Sequence, residues 1–584
     1  MPTEPDNTRP VNPAIKPTRT RPKRDDAWDD WVPLPKRQVM ITMGGVMLAI
    51  FLASLDQTIV ATAIPRIVTD LGGFDRFAWV TTAYLVASTA VIPIVGKLSD
   101  MYGRKIFFIG GIFTFVIGSV LAGISQDMNQ LIAFRAVQGV GGGVVMASSF
   151  ISIGDLFPPA ERGKYMGFIA GIFALSSLVG PVVGGFLTDA LSWRWVFYIN
   201  VPLGLPIAIA FIKVFPNPRA KSDARGIDYP GIVLLLMAIV PLMLGLSWGG
   251  SQYDWSSPQV AGVLTLAAAS AIAFIFVEMR AAEPIMPLHI YRDPIISVAL
   301  LASLLLGVSM FAGSVFMPLY FQGALGESAT NSGSFLTPMM LGTVVGATLV
   351  GQLMSRTGGH YRVLGMASVA LMAGGLYMMT RIDINTARGL VIGSMVLTGF
   401  GMGGTFPAYN IAIQNAVSYR NLGVATSAAQ FIRAIGASAG LAVLGSLLTT
   451  RFAAGVDSAV PEDILAKVPT DILDGLKANP DALVNEEQIA DLTSRLAEIG
   501  PDTAAATQPL LAGMRAALAS SIGDVFLVAL IVSVVALVVT VFLREIPLKS
   551  VKNIKAASPP SDRHPGPAGA GGTPETTEGS DTTV

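Results

Sequence analysis

The chain has 584 residues, of which 13% are charged and 52% hydrophobic, and its 39 basic residues balance 39 acidic ones. So few charges could not cover the surface of a soluble protein of this length, and a zero net charge creates no field that attracts polyanions. Composition therefore excludes a cytosolic enzyme, a disordered protein and a nucleic-acid binder, and it predicts a polytopic membrane protein.

Fourteen apolar runs follow one another along the chain, each close to the 20 or so residues that cross a bilayer core of about 30 Å as a helix. This pattern predicts an all-α protein with fourteen transmembrane helices. The predicted spans are Val39–Ala63, Phe77–Val95, Ile106–Ser125, Gln130–Gly154, Tyr165–Leu187, Trp195–Phe215, Tyr229–Trp248, Gln259–Val277, Ile295–Phe321, Ser334–Leu353, Val363–Thr380, Leu390–Ile413, Gly423–Leu448 and Ile522–Leu543.

Lys and Arg are unevenly distributed between the short loops. They are frequent before span one and in the loops after spans two and four, as at Lys97 and Arg162, and sparse in the opposite loops. The positive-inside rule then places both termini in the cytoplasm, and we expect a multi-pass protein of a bacterial inner or plasma membrane. The tails 1–38 and 544–584 are polar enough to predict disorder.

Glycine-rich patterns recur at a nearly constant offset. The Gly96 loop recurs at Gly351, the segment starting at Gln138 recurs at Thr398, and Gly180 is matched by Gly436, at offsets of 255, 260 and 256 residues. An internal repeat of this kind is typical of transporters. It predicts an N-terminal six-helix half at 39–215, two inserted helices at 229–277, and a C-terminal six-helix half at 295–543 with an outer loop at 451–520. Amphipathic stretches predict that this loop forms a small ordered cap.

Five segments carry a family resemblance that covers roughly residues 36–545. The loop after span two resembles the signature loop of the major facilitator superfamily, and the other four resemble motifs of its fourteen-span drug:proton antiporter branch, the EmrB/QacA type. The segments are Gly96–Lys105, Leu55–Pro65, Arg135–Gly143, Gly180–Gly185 and Trp193–Pro202. The resemblance implies the major facilitator fold, in which two six-helix halves alternate access to a central cavity.

Asp56 is the one carboxylate deep in a predicted span. An ionised carboxylate is costly to bury, so this position favours proton binding. Arg135 lies at similar depth, because the two residues are about 11 Å and about 8 Å below the outer ends of their predicted spans. We expect proton coupling through an ion pair that opens and closes; a permanently closed pair is the alternative.

In the family, the loop after span two is a gate that latches the halves, and its residues here are Gly96, Asp100, Gly103, Arg104 and Lys105. The alternative is that its charges only orient the protein. Its second copy has Ser355 in place of Asp100, which predicts an asymmetric latch.

Span five carries a further motif, which in this branch is associated with exchange. Its residues are Gly180, Pro181, Gly184 and Gly185. Ordinary packing of small residues against a neighbouring helix is the alternative.

Arg433 lies deep in span thirteen and should face the cavity. It could bind an anionic substrate group, be neutralised by Asp56, or bond backbone carbonyls. The full set of candidate cavity residues is Gln57, Gln138, Met310, Met317, Phe321, Met339, Phe406, Tyr409, Asn410, Gln430 and Arg433.

These features predict a secondary active exporter that moves amphipathic drugs or similar lipophilic compounds against protons, as in multidrug efflux and antibiotic resistance. Expected partners are a lipophilic substrate, protons and the bilayer, with no nucleic acid and a monomeric chain; the sequence leaves a periplasmic or lipoprotein partner open. Without cysteine, and with three scattered histidines, the chain predicts no metal, no cofactor and no enzymatic residues. The alternatives are an exporter of lipids or cell-envelope components in the same fold, or a transport-inactive sensor or scaffold.

Overall fold

The computed structural model describes residues 34–73, 76–216, 226–250, 252–327, 329–484 and 486–548. Fourteen helices in these ranges are long and apolar enough to cross a membrane. They are α1 (Lys36–Leu71), α2 (Ala78–Tyr102), α3 (Arg104–Gly123), α4 (Met128–Leu156), α5 (Pro159–Ala190), α6 (Trp195–Val214), α7 (Tyr229–Trp248), α8 (Pro258–Glu278), α9 (Pro294–Ala324), α10 (Leu336–Thr357), α11 (Tyr361–Met379), α12 (Arg388–Ala416), α13 (Tyr419–Ala459) and α14 (Pro501–Val541). The predicted fourteen-helix fold is confirmed, whereas both predicted tails lie almost entirely outside the described residues.

Helices α1, α13 and α14 extend well beyond the predicted spans. In α1 the extra turns are held by Asp70, which accepts hydrogen bonds from Trp193 Nε1 and Arg194 Nη1, both at 2.8 Å. In α13 and α14 the extra turns bury apolar side chains such as Phe452 and Met514 against each other. Helices that bury side chains in this way continue into water, so bilayer thickness underestimates their length.

Two groups of helices surround separate apolar cores. In the first, α1 packs on α4, α5 and α6, and α4 also packs on α2 and α3. In the second, α9 packs on α13 and α14, and α12 packs on α10 and α11. The groups meet where α2 contacts α13 and where α5 contacts α10. We call them the N-half and the C-half. Helices α7 and α8 pack on each other, and α7 also contacts α2 and α13.

Glycines allow the closest helix contacts, and they do so at equivalent places in the two halves. A Cβ atom at Gly141 of α4 would overlap the backbone of Phe115 in α3, and one at Gly401 of α12 would overlap the backbone of Met372 in α11. Small residues of this kind let membrane helices approach without leaving a gap. The recurring glycines in the sequence therefore correspond to recurring packing.

Between α13 and α14 the described chain forms three shorter α-helices, Glu462–Leu465, Thr470–Ala478 and Glu486–Ile499, and a 3-10 helix, Pro480–Leu483. Their buried leucines, among them Leu473 and Leu496, pack on the core of the C-half. The predicted loop 451–520 is thus largely helical. Its first residues continue α13, and its last residues belong to the beginning of α14.

Candidate functional site

Asp56 lies at the centre of a buried polar network in the N-half. Its side chain is fully buried, and its Oδ2 accepts a hydrogen bond from Arg135 Nη1 at 2.7 Å. Its Oδ1 accepts from Gln138 Nε2 and from Asn200 Nδ2, each at 2.7 Å. Three donors from α4 and α6 therefore satisfy one carboxylate of α1, as burial of a charged group requires.

The surroundings hold Arg135 in place. Its Nε donates to the backbone oxygen of Val80 at 3.2 Å, and its guanidinium carbon lies 4.4 Å from the centroid of the Tyr84 ring. Ser119 accepts a hydrogen bond from Gln138 Nε2 at 2.7 Å. The network thus includes residues of five helices, α1, α2, α3, α4 and α6.

Sequence reasoning placed Asp56 and Arg135 at similar depth, and the structure brings them into contact. It did not single out Asn200, although that residue lies in the Trp193–Pro202 motif at the break between the two helical segments of α6. Gln138, a candidate cavity residue, belongs instead to this network and is fully buried.

The span-five motif packs α5 against α1 just beyond Asp56. A Cβ atom at Gly180 would overlap the Thr58 side chain, and one at Gly184 would overlap the Thr62 side chain. Pro181 is exposed, and Gly185 has open space around it. Two glycines of the motif thus set the distance between α5 and the segment of α1 that carries Asp56.

The loop after α2 joins the two halves through Asp100. Its carboxylate accepts hydrogen bonds from the backbone N–H groups of Gly423 at 3.1 Å and Val424 at 2.9 Å. These N–H groups belong to the first turn of the long α-helical part of α13, Leu422–Ala459, where the helix dipole favours a negative charge. Gly96 contributes a close approach, because any Cβ atom there would overlap Ser427 of α13.

Arg104 is buried and binds both Asp100 and Asp155, the latter with 2.9 Å between Arg104 Nε and Asp155 Oδ2. Gly103 ends α2 at a φ of 96°, a left-handed conformation that favours glycine. Lys105 is peripheral and donates to the backbone oxygen of Ile212 at 2.7 Å. Asp155 was missed because it follows the predicted end of span four by one residue.

A second buried arginine links the halves nearby. Arg162 Nη1 donates to Gln414 Oε1 of α12 at 3.0 Å, and its Nη2 donates to the backbone oxygen of Gly154 at 2.6 Å. In the sequence Arg162 counted only as a positive-inside charge. Its burial adds a connection between the halves that loop charge alone did not predict.

The second copy of the loop makes a different contact. Gly351 of α10 packs backbone to backbone against Gly163 of α5, so the close approach recurs. Ser355, at the position equivalent to Asp100, donates to the Gly351 backbone oxygen within its own helix at 3.1 Å. The two contacts between the halves therefore share their glycines but differ in their polar residues.

These contacts lie at one end of the molecule, which we call the Asp100 end. Phe150 of α4 and Phe406 of α12 mark their inner limit, with ring centroids 5.3 Å apart. From that pair toward the Asp100 end, the halves are joined by the contacts of Gly96, Asp100, Arg162 and Gly163. In this conformation the two halves are closed together at the Asp100 end.

Four candidate cavity residues are placed in the core of the C-half, which corrects the prediction. These four residues are at most 2% exposed: Met317, Phe321, Met339 and Tyr409. Tyr409 makes a 2.6 Å hydrogen bond to Thr540 of α14. The sequence could not reveal this, because these helices are apolar on several faces and lipid is as apolar as a core.

Asn410 is also only 1% exposed, whereas five further candidates are in more open places. Gln57 is exposed, and Met310, Phe406, Gln430 and Arg433 are partly buried. The Arg433 guanidinium carbon lies 4.3 Å from the centroid of the Phe406 ring, and its Nη1 has no hydrogen-bond partner. Asp56 is engaged with Arg135, so the predicted neutralisation of Arg433 by Asp56 does not occur in this conformation.

Lys97, near the end of α2, is linked to the segment that follows α8. Its Nζ lies 2.8 Å from Glu283 Oε2. Within the described ranges, no group of three or more His, Asp or Glu residues is arranged to hold a metal ion.

Comparison with known proteins agrees with this architecture. The family model of the Major Facilitator Superfamily matches residues 46–441. Multidrug transporter protein MdtP of Bacillus subtilis is 36% identical over 523 residues, covering 88% of this chain and 95% of that protein. Multidrug resistance protein 3 of the same organism is 42% identical over 408 residues, covering 70% of this chain and 79% of that protein.

The human organic anion transporter MFSD10 has a similar fold, with a TM-score of 0.54 at 13% identity, covering 86% of this chain and all of that chain (100%). At that identity the likeness concerns the fold alone. With its matching family model, its relatives and its fourteen membrane-length helices, which fit the fourteen-span branch, the chain belongs to the major facilitator superfamily of membrane transporters.

Proposed function

We propose that the protein is a proton-coupled exporter of amphipathic, drug-like compounds, and that Asp56 carries the coupling proton. The observation that carries this proposal is the fully buried Asp56 carboxylate with its three side-chain donors. The names of its bacterial relatives, a multidrug transporter and a multidrug resistance protein, support export of varied compounds.

The geometry supports coupling because the proton and Arg135 compete for one carboxylate. In the observed conformation Arg135 Nη1 occupies Oδ2, and Gln138 and Asn200 occupy Oδ1. A proton on Asp56 removes the charge that attracts these donors and leaves the Arg135 guanidinium to find other acceptors. Protonation therefore rearranges contacts between α1, α4 and α6, and such a two-state element is what alternating access requires.

We place the Asp100 end and both termini in the cytoplasm, following the distribution of Lys and Arg. The observed closure at the Asp100 end then corresponds to the state from which substrate leaves and a proton enters. Proton release on the cytoplasmic side restores the Asp56–Arg135 pair, and the cycle exports one class of compound at the expense of the proton gradient.

Substitution of Asp56 by Asn tests the proposal. In vesicles containing the purified protein, we expect Asp56→Asn to abolish substrate movement driven by a pH gradient, because an amide does not bind the proton. Asp70→Asn is the matched control, since Asp70 lies on the same helix but is half exposed and pairs with Arg194. Normal gradient-driven transport by Asp56→Asn would contradict the proposal, provided that thermal unfolding shows both variants to be folded.

A further inference from the structure

Arg433 is a cation at mid-depth in the C-half without a carboxylate partner. It lies eleven residues after Leu422, where the α-helical part of α13 begins, and so about 16 Å along the helix. Among the described residues no ion pair includes it, and its Nη1 has no hydrogen-bond partner. A guanidinium with an unpaired donor at this depth is costly unless a ligand supplies the partner.

Arg433 is stacked on an aromatic ring on one face, and one of its buried nitrogen atoms, Nη1, has no hydrogen-bond partner among the described residues. One face of the guanidinium lies over the Phe406 ring at 4.3 Å, and Phe406 in turn contacts Phe150 of the N-half. The backbone of Arg433 is fixed by Gly307 of α9, where any Cβ atom would overlap the Arg433 carbonyl oxygen. A fixed, stacked guanidinium presents its N–H groups in a fork that matches a planar anionic group.

Two more unpaired polar atoms occur one helical turn from this pair. Gln430 precedes Arg433 by three residues in α13, and its Nε2 has no partner. Asn410 follows Phe406 by four residues in α12, and its Oδ1 has no partner. Because α12 and α13 are consecutive and run in opposite directions, both residues are displaced from the Arg433–Phe406 pair toward the Asp100 end. Arg433 and Gln430 supply donors, so the unpaired polar atoms favour a ligand rich in acceptors.

The charged residues in the central region also favour an anionic ligand. Asp56 is the carboxylate of the N-half at this depth, and its oxygens are already bound by Arg135, Gln138 and Asn200. It is therefore not available to offset a cationic ligand without breaking that network, whereas an anionic ligand offsets Arg433 directly.

We propose that Arg433 and Gln430 bind the anionic head group of an amphiphilic substrate, a carboxylate, sulfonate or phosphate, while its apolar body lies along Phe406 and Met310. This deepens the proposed export function, on which it rests. The Phe150–Phe406 contact closes the approach from the Asp100 end in the present conformation, so the head group enters when the halves separate there. A substrate with two positive charges is disfavoured at this site.

Binding to the purified protein in detergent tests the proposal independently of transport. The probes are a fluorescent aryl carboxylate and its methyl ester, which differ by one charge. We expect Arg433→Gln to weaken binding of the acid by about ten- to a hundredfold, the usual value of a hydrogen bond to a charged group, and to leave the ester unchanged. Arg433→Lys keeps the charge without the fork and should restore part of the affinity.

Arg451→Gln is the matched control, because Arg451 lies further along the same helix and its side chain is 59% exposed. Equal losses for acid and ester in Arg433→Gln, or no loss for either, would overturn the proposal. Competition by lysophosphatidylglycerol, but not lysophosphatidylcholine, for the acid in the unsubstituted protein would identify a lipid as the source of the head group. Absence of competition would assign the site to soluble acids.

Transport measurements in vesicles show which of the two hypotheses fails, the head-group site or proton-coupled export. With a pH gradient, Arg433→Gln should lose transport of the acid to a much greater extent than transport of the ester or of a monocationic dye, whereas Arg451→Gln should leave transport of all three probes unchanged. If the unsubstituted protein moves no probe, proton-coupled export fails, while the binding comparison still decides the head-group site. Export of a dicationic dye as fast as a monocationic dye of similar size would also overturn the inference.

Discussion

The two halves share a fold and a pattern of glycines, but they differ in whether their buried polar side chains have partners. In the N-half, Asp56 and Arg135 are paired and surrounded by donors and acceptors. In the C-half, the described residues give Arg433 no counterion and leave one polar atom each of Gln430 and Asn410 without a hydrogen-bond partner. A paired network is suited to switching between partners within the protein, whereas unpaired groups are suited to binding a partner from outside. This difference is the reason why we propose that the proton binds in the N-half and the substrate head group in the C-half.

The largest expected effect comes from breaking the N-half pair. Arg135→Leu removes the partner of a fully buried carboxylate, and we expect it to lower the free energy of unfolding by about 3–5 kcal/mol. Thermal unfolding in detergent measures this loss. The double variant Arg135→Leu/Asp56→Leu, which removes both charges, should recover most of the stability; a double variant as unstable as the single one would contradict the pairing argument.

We expect the next largest effect from removing the contact that Asp100 makes between the two halves. Asp100→Ala removes the acceptor of two backbone N–H groups and a partner of Arg104, so we expect closure at this end to weaken by about 1.5–3 kcal/mol. The chain contains no cysteine, so Ser427→Cys, at a buried position beside Gly96, reports opening through its labelling rate. Labelling should accelerate in the Asp100→Ala background and stay constant in the Ser355→Ala background.

The control for that experiment is Thr69→Cys, at an exposed position near the opposite end of α1. Its labelling should not slow down when Asp100 is replaced. An unchanged rate at position 427 would show that the loop does not hold the two halves together.

Removing the unpaired charge of the C-half should raise the free energy of unfolding, whereas removing one member of the charge pair in the N-half should lower it. We expect Arg433→Leu to raise the free energy of unfolding by about 1–3 kcal/mol, since an unsatisfied buried group is replaced by an apolar one. The same thermal unfolding assay compares it with Arg135→Leu. A destabilised Arg433→Leu would mean that Arg433 has a structural partner in the folded state.

The smallest effect tests why the latch is asymmetric. Helix α5 begins at Pro159, so the N–H of Gly163 already faces the Pro159 carbonyl within its own helix, whereas Gly423 and Val424 lie in the first turn of theirs. We therefore expect Ser355→Asp to change the free energy of unfolding by less than about 0.5 kcal/mol, because the new carboxylate finds no free backbone N–H group at Gly163 of α5. Slower labelling at position 427 in Ser355→Asp would instead show that the missing carboxylate alone causes the asymmetry.

Much of the fold could be predicted because each membrane helix is a long apolar run and because glycine motifs recur. The contact between Asp56 and Arg135 could be anticipated as well, since depth follows from position along a helix. The rotation of each helix about its own axis could not be predicted, because the faces that contact lipid and the faces that are buried are both apolar. This is why Met317, Phe321 and Met339 were taken for cavity residues although they lie in a core.

Polar residues at helix ends were also difficult to interpret. Asp155 and Arg162 stand where loop charges are expected, and only packing shows that they connect buried groups. Asn200 lies at a break within α6, and hydropathy does not mark such a break. These residues share one property: each of them has at least one partner on a helix that is distant in sequence.

Helix α14 has 41 residues and is therefore about 60 Å long, roughly twice the thickness of a bilayer core. The part of α14 that exceeds this length packs with the extension of α13 and with the short helices between them, and we call this helical extension of the C-half the arm. Any tilt of the C-half is amplified at the tip of this arm. A spin label or an antibody fragment at the tip would follow such movement without touching the residues that we propose to bind proton or substrate.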